Sequence, residues 1–109
     1  KHLQEFSDHL DLPIESKDAK HVYQMYTIKV RGNRSAFLNS LKSNGIEASV
    51  HFDPPLHLQN VYSKYARSAL PITEKVASSI VTLPMYPSLT AEELDYLVES
   101  VGQALKVIK

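Results

Sequence analysis

His51-Phe-Asp-Pro-Pro-Leu-His57-Leu-Gln59 gathers two imidazoles, a carboxylate and a carboxamide around a double proline. Adjacent prolines fix φ and disfavour helix just before them, so this stretch reads as a stiff, extended loop carrying polar heads. Two chemistries suit such a set. His51, Asp53 and His57 are the residue types of a site with two histidines and one carboxylate on a metal ion. The other chemistry is a polar cleft wall. Neighbouring side chains on a stiff loop point in different directions, and no further ligand spacing supports a metal, so the cleft wall is preferred. In that reading His51 and His57 hydrogen-bond to phosphate or sugar oxygens, imidazole being able to donate or accept near neutral pH. Gln59 offers both a donor and an acceptor to sugar hydroxyls. Tyr26, in an otherwise aliphatic strand face, is either a core tyrosine with its hydroxyl satisfied at the sheet edge or a further group on the cleft.

Other chemistries lack their parts. Ser49 shares a strand face with His51, but no Gly-x-Ser-x-Gly elbow is present. The three glycines, at 32, 45 and 102, are scattered, so no glycine-rich phosphate loop exists. The absence of cysteine excludes a thiol nucleophile, thiolate metal sites and disulfides.

The elements that position the polar loop follow from periodicity. Leu3, Phe6 and Leu10 have helical spacing, which predicts a leading helix near Lys1, broken by Asp11-Leu-Pro13. Glu15 to Lys20 reads as a loop. His21 to Arg31 is a strand with Val22, Tyr26, Ile28 and Val30 on one face and Tyr23, Met25 and Thr27 on the other. Both faces are fairly apolar, which predicts a central strand. Asn33 or Ser35 caps a helix burying Phe37, Leu38 and Leu41, and Asn44-Gly45 stops it. Ile46 to His51 is the next strand, with Ile46, Ala48 and Val50 inward and His51 on the polar face. Leu58, Val61, Tyr62 and Tyr65 suggest a short helix. Pro71 opens another, Ile80 to Leu83 is a short strand, and Thr90 with Glu93 forms a capping box before a helix lined by Leu94, Leu97, Val98, Val101 and Leu105. The order α-β-α-β-(α)-α-β-α predicts an α+β two-layer sandwich: a small mixed or antiparallel sheet with helices on one side.

The 109 residues fit one small domain, with residues 1–20 as leading helix and linker and 21–109 as the sandwich. Twelve basic residues balance twelve acidic ones, which argues against nucleic-acid binding, since phosphate neutralisation needs a basic patch. No apolar run approaches the roughly 20 residues of a membrane helix, and no signal-peptide core opens the chain. The expectation is a cytoplasmic protein, and one that is a piece of something longer.

Three ordered motifs carry a resemblance: His21-Val-Tyr-Gln-Met-Tyr-Thr-Ile-Lys-Val30, Asn44 through Gln59, and Leu83-Pro-Met-Tyr-Pro-Ser-Leu-Thr90, with Glu74 after Pro71 also matching. Together they closely resemble the C-terminal small domain of the DegT/DnrJ/EryC1/StrS aminotransferases. The resemblance implies a pyridoxal-phosphate-dependent transaminase moving an amino group from glutamate to a nucleotide-linked keto-sugar. It implies that the cofactor's lysine lies on a missing N-terminal domain, because the motif surrounding that lysine matches none of the lysines here. No pyridoxal 5'-phosphate is therefore expected on this chain alone. It also implies a homodimer, with the loop from His51 to His57 nearest the cleft. Phe52 stands where the family often has tyrosine, so a hydroxyl contact there is lost, and Asp53 adds a charge that disfavours a nearby phosphate. The alternative is a non-catalytic binding or regulatory module on the same fold.

Overall fold

The computed structural model describes residues 2–108; Lys1 and Lys109 lie outside the described residues. A three-stranded sheet runs β1 (Leu10–Asp11), β2 (Tyr26–Val30), β3 (Ile80–Leu83), antiparallel throughout and in that spatial order. Ile28 faces Val81, Tyr26 faces Leu83 and Leu10 faces Val30. These alternate residues share one sheet face by the period of two. On that face pack α1 (Arg34–Ser43), through Phe37 and Leu41, and α3 (Ala91–Val107), through Leu97, Val101, Ala104 and Leu105. A shorter helix, α2 (Pro71–Ala77), precedes β3 with Pro71 in its first turn. The result is the expected α+β sandwich, with a wholly antiparallel sheet and β2 in its centre.

The helix ends follow their local chemistry. Asn33 caps α1 by accepting from the Ala36 N–H at 3.0 Å. Gly45, at φ +72°, then turns the chain in the left-handed backbone region, which glycine adopts without the strain a side chain would bring. Thr90 accepts from the Glu93 N–H at 3.2 Å while the Glu93 carboxylate accepts from the Thr90 N–H at 2.9 Å, the expected reciprocal cap of α3.

Four elements differ from expectation. The leading segment is a single 3-10 turn, Gln4–Phe6, followed by edge strand β1. Leu3 and Leu10 are still buried, so the apolar spacing was satisfied by a turn plus a strand instead of a helix. The His21–Arg31 strand starts only at Tyr26. Val22 is exposed, and Tyr23 sits at φ +49° with its N–H held by His21 Nδ1 at 2.8 Å, which breaks the extended run. Ile46 to His51 forms no ladder, only the isolated bridge of Ser49 with Thr82. Its burial nevertheless alternates as expected, with Ile46, Ala48 and Val50 more covered than Glu47, Ser49 and His51. The segment after the prolines folds as two 3-10 turns, Leu56–Leu58 and Asn60–Tyr65. There Leu58, Val61, Tyr62 and Tyr65 remain exposed, so no apolar stripe is buried to support an α-helix.

Candidate functional site

The polar loop is an elbow at the free edge of β3. Ser49 and Thr82 exchange both backbone hydrogen bonds, at 3.0 and 2.7 Å. The chain then leaves the sheet through His51-Phe52-Asp53-Pro54, with cis peptides at His51–Phe52 and Asp53–Pro54. His51 Nδ1 lies 3.3 Å from the Thr82 hydroxyl and 3.5 Å from that of Ser49. Its ring meets Phe52 edge-on at 5.5 Å between centroids. Phe52 is 62% exposed, an aromatic plate without cover in this chain.

Two polar links brace the elbow. Arg34, at the start of α1, pairs with the Asp53 carboxylate and donates to the Ala77 carbonyl at the end of α2. Asp53 is thus paired within the chain, and its charge is not presented bare to a ligand phosphate. His57 Nε2 lies 2.9 Å from Glu74 Oε1 on α2, and the same oxygen accepts from the Leu70 N–H at 3.0 Å. The His57 hydrogen bond, and after it the Leu70 N–H, hold the Glu74 carboxyl below its ordinary value, since both favour the ionised form. His57 itself is mostly covered, with 13% of its side chain exposed.

His51, Phe52 and His57 line a single open groove of about 570 Å³, completed by Pro55, Leu56 and apolar residues of α2. Gln59 does not line it: its carboxamide donates back to the Pro54 carbonyl at 3.1 Å and stiffens the elbow from within. Tyr26 stands apart, on the helix-facing side of the sheet, stacked on Tyr23 at 5.9 Å. Burial, and secondarily the neighbouring Tyr23, push its phenol above the ordinary value. Among the described residues no group of three histidine, cysteine, aspartate or glutamate side chains is placed to hold a metal ion.

Sequence reading missed Arg34 and Thr82. Thr82 gave no signal. Arg34 gave one: a cation in the first turn opposes the helix dipole and implies a partner elsewhere.

A sequence model of the DegT/DnrJ/EryC1/StrS aminotransferase family matches residues 1–102. The chain belongs to this family. It is 32% identical over 94 residues to the dTDP-3-amino-3,6-dideoxy-alpha-D-galactopyranose transaminase of Aneurinibacillus thermoaerophilus, covering 86% of this chain and 26% of that protein. It is 35% identical over 103 residues to the 3-oxo-glucose-6-phosphate:glutamate aminotransferase of Bacillus subtilis, covering 90% and 23%. The crystal structure of NtdA from Bacillus subtilis with bound cofactor PMP superposes with a TM-score of 0.83 at 34% identity, covering 96% of this chain and 25% of that one. The chain spans about a quarter of the length of these relatives. No described helix is long and apolar enough to cross a membrane.

No lysine lines the groove beside His51. Lys29 is paired with Asp11 at 3.0 Å, and Lys64 lies over the Tyr65 ring. The groove therefore offers no Schiff-base anchor, and the residues present do not by themselves fit pyridoxal phosphate.

Proposed function

We propose that the chain is the C-terminal domain of a pyridoxal-phosphate-dependent aminotransferase that moves an amino group from glutamate to a nucleotide-linked keto-sugar. The domain it supplies includes the leading residues as well, since β1 (Leu10–Asp11) is an edge strand of its sheet and Leu3 and Leu10 lie in its core. The reading rests on one observation: an elbow carrying His51 and exposed Phe52 is braced rigidly at the rim of a groove that has polar groups but no cofactor lysine. The matched sugar aminotransferases support the substrate class, and the glutamate aminotransferase among them supports the donor. In this reading the cofactor and its lysine belong to a large domain preceding this one, and two subunits complete the site in the cytoplasm. His51, Phe52 and His57 wall the sugar side of the cleft. Gln59 keeps the elbow in shape, and Tyr26 supports the sheet from its other face.

The test uses the full-length enzyme. His51→Ala is expected to lower kcat/KM for the keto-sugar by about tenfold or more, the loss of roughly one hydrogen bond to substrate. The cofactor's absorbance spectrum should stay unchanged. An unaltered kcat/KM, or loss of the cofactor band, would reject this placement. The 109-residue chain alone is expected to give no imine absorbance on titration with pyridoxal phosphate.

A further inference from the structure

A row of hydroxyls crosses the sheet face that points away from α1 and α3. Thr27 and Thr82 are cross-strand partners, with their hydroxyl oxygens 3.0 Å apart. Thr82 Oγ1 is also 3.3 Å from His51 Nδ1; the exposed Ser49 hydroxyl, 3.5 Å from the same nitrogen, is a weaker competitor that can turn to solvent instead. Thr82 is 7% exposed, so its hydroxyl proton must be satisfied inside the protein or remain unpaired at a cost.

Each hydroxyl carries one proton, and a neutral imidazole carries one proton on one of its two nitrogens. The row can therefore run in two directions. In the first, Thr27 donates to Thr82 and Thr82 donates to Nδ1, so both hydroxyl protons have acceptors within the row. In the second, Nδ1–H donates to Thr82 and Thr82 donates to Thr27. The Thr27 proton then has no protein acceptor among the described residues. The first direction keeps both hydroxyl protons inside the protein, whereas the second leaves the partly buried Thr27 to turn its proton to solvent, so the first is favoured.

We propose that Thr82, backed by Thr27, is a positioning residue for His51. It fixes the neutral imidazole with its proton on Nε2 and turns that N–H donor away from the sheet. A donor so placed recognises an acceptor oxygen on its ligand: a hydroxyl, carbonyl or phosphate oxygen. The ligand's identity rests on the functional reading above, whereas the tautomer is a property of this chain alone.

Long-range ¹H–¹⁵N correlation spectra of the 109-residue chain, recorded at about pH 8, above the ordinary imidazole range, read the tautomer directly. The expected result is a pyrrole-like Nε2 and a pyridine-like Nδ1 for His51. Thr82→Val removes the donor while keeping the side-chain shape, and should raise the Nδ1–H population several-fold. Thr82→Ser should restore the original pattern, and Thr27→Val should shift it in the same direction as Thr82→Val but less. A predominant Nδ1–H form in the unmodified chain overturns the proposal. So does an unchanged His51 pattern in a folded Thr82→Val chain. Should that variant not fold, an unchanged pattern in Thr27→Val overturns it and a shifted one supports it. A parent enzyme found to act on something other than a keto-sugar would remove the functional reading and leave the tautomer result standing.

Discussion

The helix-backed sheet and the proline-rich elbow are held by opposite means. In the sheet, Ile28, Val81, Phe37, Leu41 and Val101 are fully buried against one another, and burial of apolar surface supplies the stability. In the elbow the large apolar groups face outward, Phe52, Leu56 and Leu58 all being more than half exposed. What fixes the elbow is a short set of polar links to the finished scaffold: Ser49 to Thr82, Asp53 to Arg34, His57 to Glu74. The first region is held by its own packed interior. The second is built to present surface, and it depends on the first.

Three substitutions would break or sharpen that contrast. The largest effect is expected from Phe37→Ala, which empties the centre of the core and should cost about 3–5 kcal/mol in denaturant unfolding. Elbow and sheet should then be lost together. Arg34→Ala should cost less, about 1–3 kcal/mol, chiefly by leaving the part-buried Ala77 carbonyl without its donor, the exposed Asp53 carboxylate being able to take up water. Its mark should be local: hydrogen exchange speeds up at residues 51–57 while β2 and β3 keep their protection. Equal acceleration in both regions would refute the division. The smallest effect belongs to Glu74→Gln. The Glu74 carboxyl lies below its ordinary value in the folded chain, so its contribution is present above the ordinary carboxylate range and disappears as pH falls through the lower folded value. Amide shifts of residues 55–58 should report that acid transition in the unmodified chain and lose it in the variant.

The same contrast explains what the sequence made legible. The core elements announce themselves by periodicity and caps: Phe37 and Leu41 on α1, the Thr90–Glu93 box on α3, and the alternation of Tyr26, Ile28 and Val30. The elbow's importance was visible in its residue types, and His51, Phe52 and His57 do share a groove. Its fastenings were not legible as such, because Arg34, Glu74 and Thr82 lie far from it along the chain and meet it only after folding; Arg34 alone hinted at a partner, as a cation opposing the dipole of α1. Periodicity also overreached where nothing covers the apolar side: Val61 and Tyr65 are spaced for a helix but have no surface to pack on. Leu10 shows the converse, a helical spacing taken over by a sheet edge because Val30 offered it a partner.

The three fastenings of the elbow reach a strand and two helices, one each. A plate pinned on three supports behaves as a tripod, unable to rock on any single one. The entropy of shaping this rim is spent when the domain folds, so an incoming molecule finds a wall already set and gives up none of its own contact energy to form it.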